Sequence, residues 1–189
     1  MRVIELIVFG VWVIFYTYWL VSAWRNRTPV KRKESRLSLL SSVTILIVIW
    51  MIFTSWLEPG LMLERIIPDS FFFAFIGLLV TCAGLGFAIW ARVHLGTFWS
   101  GLPAIRVDHK IIRTGPYRFV RHPIYSGILL GVTGTAIALG YFWIFCTIFL
   151  MLAAFLLKIR MEEKFLEEEF GEEYTRYKGE VKALIPLLV

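Results

Sequence analysis

Four long apolar blocks separated by polar segments dominate the pattern of this chain. The first three, Val3–Trp24, Leu39–Leu57 and Phe71–Val93, each have the roughly 20 residues that a helix needs to cross about 30 Å of hydrocarbon. The fourth, Tyr125–Leu157, would be about 50 Å long as one helix, which is too long for a single span even when tilted. Gly140–Tyr141 interrupts it near its middle. We therefore predict two short helices there, folded back as a hairpin.

Composition supports a membrane protein. The chain is 58% hydrophobic with a mean hydropathy of +0.72, which is too apolar for an ordinary soluble domain. No small-residue cleavage pattern follows the first block, so we interpret that block as a span and not as a signal peptide. Cys82 and Cys146 both lie within apolar blocks and indicate neither a disulfide framework nor a metal site.

The placement of charge predicts the orientation. The loop after the first block is basic and contains Arg25, Arg27, Lys31, Arg32, Lys33 and Arg36 against Glu34. The loop after the second is acidic, with Glu58, Glu64 and Asp69 against Arg65. The region after the third is basic again. Because positive loops stay in the cytoplasm, we predict an all-α protein with five transmembrane helices, its N-terminus outside and its C-terminus inside.

The predicted spans divide the chain into two regions. Residues 1–70 form a two-span region without a recognisable motif, and residues 71–189 form a core. The core comprises the third span, a cytoplasmic loop at 94–124, the hairpin at 125–157 and C-terminal helices at 158–189. The loop and the C-terminal helices would meet at the same membrane surface. We predict that they form one pocket there.

The segment from Gly115 to Gly127 concentrates polar residues at a membrane edge, where ionisable groups are costly and are usually functional. Pro123 suits the first turn of a helix. This places Arg121 and His122 at a helix N-terminus, where free backbone N–H groups and the helix dipole attract anions. The alternative is that both side chains mark only the membrane interface. Taken alone, Tyr125 and Tyr117 are more typical of structural residues in the interfacial aromatic belt.

The C-terminal helix carries an acidic pair. Glu163 falls on the apolar stripe of this helix, and a carboxylate on a packing face needs a cation or a ligand as partner. Glu162 lies on the neighbouring face, one turn after Lys158. The simpler, purely structural interpretation is that these two residues form an exposed i, i+4 ion pair. Which glutamate has which role stays open at this point. His94 and His109 have no second metal ligand at a useful spacing, so we predict no metal site.

These residues resemble the isoprenylcysteine carboxyl methyltransferase family and its phospholipid methyltransferase relatives. The resemblance covers roughly residues 77–186. It is carried by Gly84-Leu85-Gly86, the stretches Leu95–Ser100 and His109–Tyr117, the RHPIYSG string Arg121–Gly127, the pair Glu162-Glu163, and FGEEY at Phe170–Tyr174.

The resemblance implies an integral membrane methyltransferase that uses S-adenosylmethionine. It implies cofactor-binding residues at His109, Lys110, Ile111, Ile112, Tyr117, His122, Pro123, Ile124, Tyr125 and Glu162. The family has an arginine near the start of the last helix that is linked to the acceptor, and this chain has Lys158 there, with Arg160 two residues on. We assign catalytic roles to Arg121, Lys158, Arg160 and Glu163.

The expected reaction is carboxyl O-methylation of an isoprenylcysteine-type acceptor that enters from the lipid. Methyl transfer to a carboxylate needs alignment and charge neutralisation, whereas an amine acceptor would need a base such as Glu163. Phospholipid N-methylation is the nearest alternative. An NADPH-dependent reductase of the sterol type is a second class, which the acidic pair disfavours, and a non-catalytic membrane scaffold is a third. We expect no nucleic-acid partner.

Overall fold

The computed structural model describes residues 2–25, 31–32, 64–96, 104–105 and 111–186. The α-helices in this part of the chain are α1 (Arg2–Arg25), α2 (Phe71–Leu95), α3 (Pro123–Leu139), α4 (Phe142–Phe170) and α5 (Glu172–Glu180). A 3-10 turn, Gly115–Arg118, precedes α3. Two short strands, β1 (Lys31–Arg32) and β2 (Ala104–Ile105), pair antiparallel with Lys31 opposite Ile105.

Among the described residues, three helices are long and apolar enough to cross a membrane. They are α1 (over residues Val3–Ser22), α2 and α4. Helix α3 is apolar but shorter. An all-α, multi-span membrane protein is therefore confirmed, with the first and third spans close to their predicted bounds. The predicted second span, Leu39–Leu57, lies outside the described residues, so the number of five spans stays a prediction.

The break in the fourth apolar block falls where it was predicted. Gly140 ends α3 in the left-handed conformation, with a φ of +74°, which favours glycine. A Cβ at this position would lie 2.8 Å from the carbonyl oxygen of Ile67. The segment before α2 covers this turn, because Ile66 N donates to Gly140 O at 2.8 Å and Phe142 N donates to Glu64 O at 3.0 Å.

The second arm of the hairpin is not short, and that part of the prediction is wrong. Helix α4 continues for 29 residues from Phe142 until Gly171, where φ is +55°. No glycine or proline interrupts it, and the polar residues that follow Leu157 are mostly strong helix formers. The acidic pair therefore lies on the same rigid helix as the apolar segment below it.

Close contact between α2 and α3 depends on small residues. A Cβ on Gly84 would lie 2.4 Å from Gly131 N, and one on Gly134 would lie 2.3 Å from Thr81 N. Glycine at these positions lets the two backbones touch, as is common between membrane helices. Because α3 begins at the polar segment 115–127, this contact fixes the position of that segment relative to α2.

Helix α1 packs onto the same unit. The indole Nε1 of Trp12 donates to Thr135 Oγ1 at 2.9 Å, deep among buried residues. At the other end, the buried guanidinium of Arg92 donates to Ser22 O at 3.3 Å and to Gly96 O at 2.9 Å. These contacts tie the ends of α1 and α2 together next to the polar cluster described below.

Candidate active site

The turn that leads into α3 is held by the last turn of α2. Gly115 has a φ of +59°, and a Cβ there would lie 2.7 Å from the His94 ring. His94 Nε2 lies 2.9 Å from Thr114 Oγ1, and its ring stacks on Tyr117 at a centroid distance of 6.4 Å. The close packing of the histidine ring on a glycine therefore fixes the orientation of Tyr117.

Tyr117 is buried at the junction of three elements. Its hydroxyl donates to Ala91 O at 3.4 Å, and its own carbonyl accepts from the Tyr177 hydroxyl of α5 at 2.6 Å. Ile124 and Ile112 pack into the same apolar cluster. Of the predicted cofactor residues, these three thus lie together beneath the polar cluster.

Glu163 has the partner that its position on a packing face requires. Arg121 donates to Glu163 Oε1 from Nη2 at 2.6 Å and from Nε at 2.8 Å, and both side chains are less than a tenth exposed. Lys178 Nζ of α5 lies 3.2 Å from the other oxygen. His122 Nε2 lies 3.2 Å from Oε1. The carboxylate is therefore surrounded by donors from α5 and from the segment before α3.

This arrangement sets the acidity of Glu163, which lies beyond the apolar part of α4. Burial would raise the pKa of its carboxyl, but hydrogen bonds from His122 and Arg121 outweigh burial and lower it to about 2. A carboxylate this acidic is a poor general base at neutral pH. The predicted role of Glu163 as a base for an amine acceptor therefore has no support in this geometry.

The chain folds back over the start of α3 in a segment that we call the strap, Val181–Leu184. Arg121 N donates to Lys182 O at 2.8 Å and His122 N donates to Ala183 O at 2.9 Å. The Arg121 guanidinium also donates to Val181 O. Carbonyl oxygens of the strap thus occupy the backbone N–H groups of Arg121 and His122, so these two groups do not bind an anion in this structure. An anion site at the start of α3 stays a prediction.

Glu162 faces a different environment from Glu163. The Tyr125 hydroxyl donates to Glu162 Oε1 at 2.6 Å, and His122 Nδ1 lies 3.6 Å from Oε2. The His122 and Tyr125 rings are parallel, with 5.7 Å between centroids. The Glu162 side chain is 19% exposed against 7% for Glu163. Glu162 is thus the more accessible of the two carboxylates.

Lys158 lies on the membrane side of this group. It is buried, and its ammonium lies 5.8 Å from the centroid of the Tyr125 ring. The Tyr125 ring also stacks on Phe155, whose ring centroid is 4.6 Å away. Arg160 is exposed, because two residues further along a helix is about 200° around its axis. Of the two predicted acceptor cations, only Lys158 belongs to the cluster.

The remaining predicted residues divide into two groups. Pro123 is buried as the first residue of α3, as predicted, and Ile111 is half-buried before the turn. His109 and Lys110 lie outside the described residues. The sequence did not point to Lys178, which belongs to no motif and contacts Glu163 and Glu167 of another helix. It gave no role to Ser126, which lies within the RHPIYSG string but donates to backbone oxygens.

Together the apolar helices and this cluster define an integral membrane protein with a polar site at one end of its bundle. The family model for phospholipid methyltransferases matches residues 72–173. A probable protein-S-isoprenylcysteine O-methyltransferase of Oryza sativa subsp. indica is 30% identical over 181 residues, covering 93% of this chain and 92% of that protein. The chain therefore belongs to the phospholipid and isoprenylcysteine methyltransferase family of membrane enzymes.

Two further similarities bear on fold and substrate. Methanethiol S-methyltransferase 1 of Bradyrhizobium diazoefficiens is 29% identical over 177 residues, which cover 84% of this chain and 55% of that protein. The structure of a eukaryotic intramembrane Ras methyltransferase, an isoprenylcysteine carboxyl methyltransferase, matches with a TM-score of 0.55 and 24% identity. That match covers 82% of this chain and 54% of the solved chain, and it supports the fold alone.

Proposed function

We propose that this membrane methyltransferase transfers a methyl group from S-adenosylmethionine to the carboxylate of a lipophilic, isoprenylcysteine-type acceptor. The observation that carries this proposal is the cluster of Glu162, Tyr125 and buried Lys158 at the end of α4. Lys158 and Glu162 lie one turn apart on α4, and Tyr125 of the neighbouring α3 contacts both of them. The cluster therefore combines an accessible carboxylate, an aromatic ring and a cation.

The donor set fits the chemical groups of S-adenosylmethionine. Aromatic faces such as those of Tyr125 and Tyr117 attract a sulfonium cation. The accessible oxygens of Glu162 suit the cofactor's amine or its ribose hydroxyls. When bound, the cofactor supplies an electrophilic methyl group. Arg121 is not proposed as a ligand for its carboxylate, because the guanidinium already binds Glu163 and the strap.

Charge at the site favours an anionic acceptor. The buried ammonium of Lys158 would attract a carboxylate and repel the protonated amine of a phospholipid headgroup. Glu163, with a pKa of about 2, would not remove a proton from such an amine. A carboxylate needs only to be aligned and partly neutralised, which Lys158 can do. These features support O-methylation over phospholipid N-methylation.

A thiolate acceptor would fit the same cation. The chain's similarity to methanethiol S-methyltransferase 1 makes S-methylation the second candidate. A thiolate and a carboxylate both carry a negative charge, so Lys158 does not separate them. The experiment below therefore decides between a carboxylate and a thiolate acceptor.

The experiment has two stages on the purified protein. Calorimetry first measures binding of S-adenosylhomocysteine, with NADPH in parallel, and we expect binding of the former alone. Transfer of labelled methyl from S-adenosylmethionine is then followed with a farnesylated N-acetylcysteine, phosphatidylethanolamine and methanethiol. The methyl ester of the farnesylated acceptor is the control, because its carboxylate is blocked.

We expect methylation of the free farnesylated acid and none of its ester. Methylation of methanethiol alone would replace the carboxylate acceptor with a thiolate. Methylation of phosphatidylethanolamine would contradict the argument from Lys158. Binding of NADPH in place of S-adenosylhomocysteine would overturn the proposed cofactor and with it the reaction.

A further inference from the structure

The strap provides three successive acceptors for the start of α3. Lys182 O accepts from Arg121 N at 2.8 Å and Ala183 O accepts from His122 N at 2.9 Å. Leu184 O accepts from Ser126 Oγ at 2.6 Å. Three neighbouring carbonyls thus bind donors on both sides of Pro123, over one full turn of chain.

Apolar contacts hold the strap in place. Ala183 and Leu184 are 8% and 3% exposed and pack with Ile159 of α4. Tyr125 and Leu129 of α3 line the same cluster. The strap therefore packs between α3 and α4. This packing fixes the position of its backbone oxygens relative to α3.

The backbone at His122 is held by both the strap and the first turn of α3. His122 precedes α3 with φ −121° and ψ 60°, outside the helical region, and its side chain does not cap the helix. Pro123 follows it and has no N–H to donate. His122 O accepts an intrahelical bond from Ser126 N at 3.1 Å and also accepts from Ser126 Oγ at 3.2 Å. The backbone that carries the His122 ring is therefore held from α3 through His122 O and from the strap through His122 N.

We propose that the strap and the start of α3 together position His122 and Tyr125 for the reaction, and that Ser126 is the positioning residue that joins them. Ser126 touches neither glutamate in the contacts of the described residues, yet its hydroxyl lies 2.6 Å from Leu184 O of the strap and 3.2 Å from His122 O. The expected effect on cofactor affinity rests on the proposed function. The effect on the His122 ring does not rest on it.

The test uses Ser126→Ala, with Ser126→Thr as the conservative variant that keeps the hydroxyl. Thr133→Ala is the matched control, because Thr133 also lies on α3 and donates only to Leu129 O within its own helix. The first readout is the NMR signal of the His122 ring in the cofactor-free protein, which is assignable because the chain has 3 histidines. The second is calorimetric affinity for S-adenosylhomocysteine.

We expect Ser126→Ala to shift the His122 signal and to weaken S-adenosylhomocysteine binding about fivefold, the loss that one hydrogen bond typically gives. Ser126→Thr should restore both, and Thr133→Ala should change neither. If the alanine variant does not fold, Ser126→Cys, with a weaker donor of similar size, takes its place.

An unchanged His122 signal in the alanine variant would overturn the proposal. A shifted signal with unchanged affinity would show that Ser126 orients the ring without consequence for cofactor binding, which also overturns the proposal. If the unaltered protein binds no S-adenosylhomocysteine, the proposed function fails. The His122 signal would still decide whether Ser126 positions the ring.

Discussion

At the scale of single residues, the two adjacent glutamates have opposite surroundings. Glu163 is ionised, buried and bound by Arg121, His122 and Lys178. Glu162 is partly exposed and receives the Tyr125 hydroxyl. The first therefore holds the site together, and the second is the carboxylate that we propose for cofactor binding.

Replacing each glutamate by glutamine should separate these roles. Glu163→Gln leaves the buried Arg121 without its counter-charge, which typically costs about 3–5 kcal/mol, so the thermal unfolding midpoint should fall sharply. Glu162→Gln should leave that midpoint unchanged and weaken S-adenosylhomocysteine binding at least tenfold. Thermal unfolding and calorimetry on both variants measure this. A Glu163→Gln variant as stable as the unaltered protein would contradict the assignment.

Lys158 should govern the acceptor and not the cofactor. Lys158→Ala removes the cation beside Tyr125, so kcat/KM for a carboxylate acceptor should fall about 10–100-fold, the loss of about 1.4–2.7 kcal/mol of transition-state stabilisation. Lys158→Arg should retain much of the activity. Lys164→Ala, on an exposed position of the same helix, is the control. An equal loss of S-adenosylhomocysteine affinity would place Lys158 in the cofactor site instead.

The sequence indicated some of these residues and missed others for physical reasons. Helical spacing identified Glu163 on a packing face, and Pro123 marked the start of α3. The partner Lys178 was not predicted, because a contact between two helices joined by a turn depends on how that turn folds. Ser126 was not predicted either, because it binds a backbone oxygen, which every residue of the chain has.

At the scale of elements, Gly171 decides how α5 returns to the site. It ends α4 with φ +55° and ψ −127°, a conformation that residues with a Cβ rarely adopt. The change of direction there allows Lys178 to reach Glu163 and Glu167. The continuous α4 was not predicted from hydropathy, because helix hydrogen bonds continue across the polarity change after Leu157.

Two glycine-to-alanine changes test this element. Gly171→Ala should destabilise the protein by about 1–3 kcal/mol, since the backbone conformation is strained for alanine. Gly179→Ala lies within α5 and has open space around a new Cβ, so it should stabilise by up to about 1 kcal/mol. Thermal unfolding in one detergent compares them. Equal midpoints for both variants would rule out the strained turn.

At the scale of the whole molecule, the ends of α4 define two opposite surfaces. Helix α4 is 29 residues long, or about 43 Å. The segment that contains Arg65 and Asp69 covers the turn before its first residue, and the polar cluster surrounds its other end. The sequence predicted this separation from charge alone, because basic residues concentrate on the side of the cluster.

Labelling from one side of the membrane tests the predicted orientation. We expect Lys164→Cys, at the site end of α4, to react with an impermeant maleimide only when the cytoplasmic face is exposed. Asp69→Cys should react only from outside. Both positions are exposed, and both variants are made after Cys82 and Cys146 are replaced by serine. The reverse pattern would place the site outside the cell, away from the cytoplasmic pool of S-adenosylmethionine. It would therefore contradict the cofactor assignment as well as the topology.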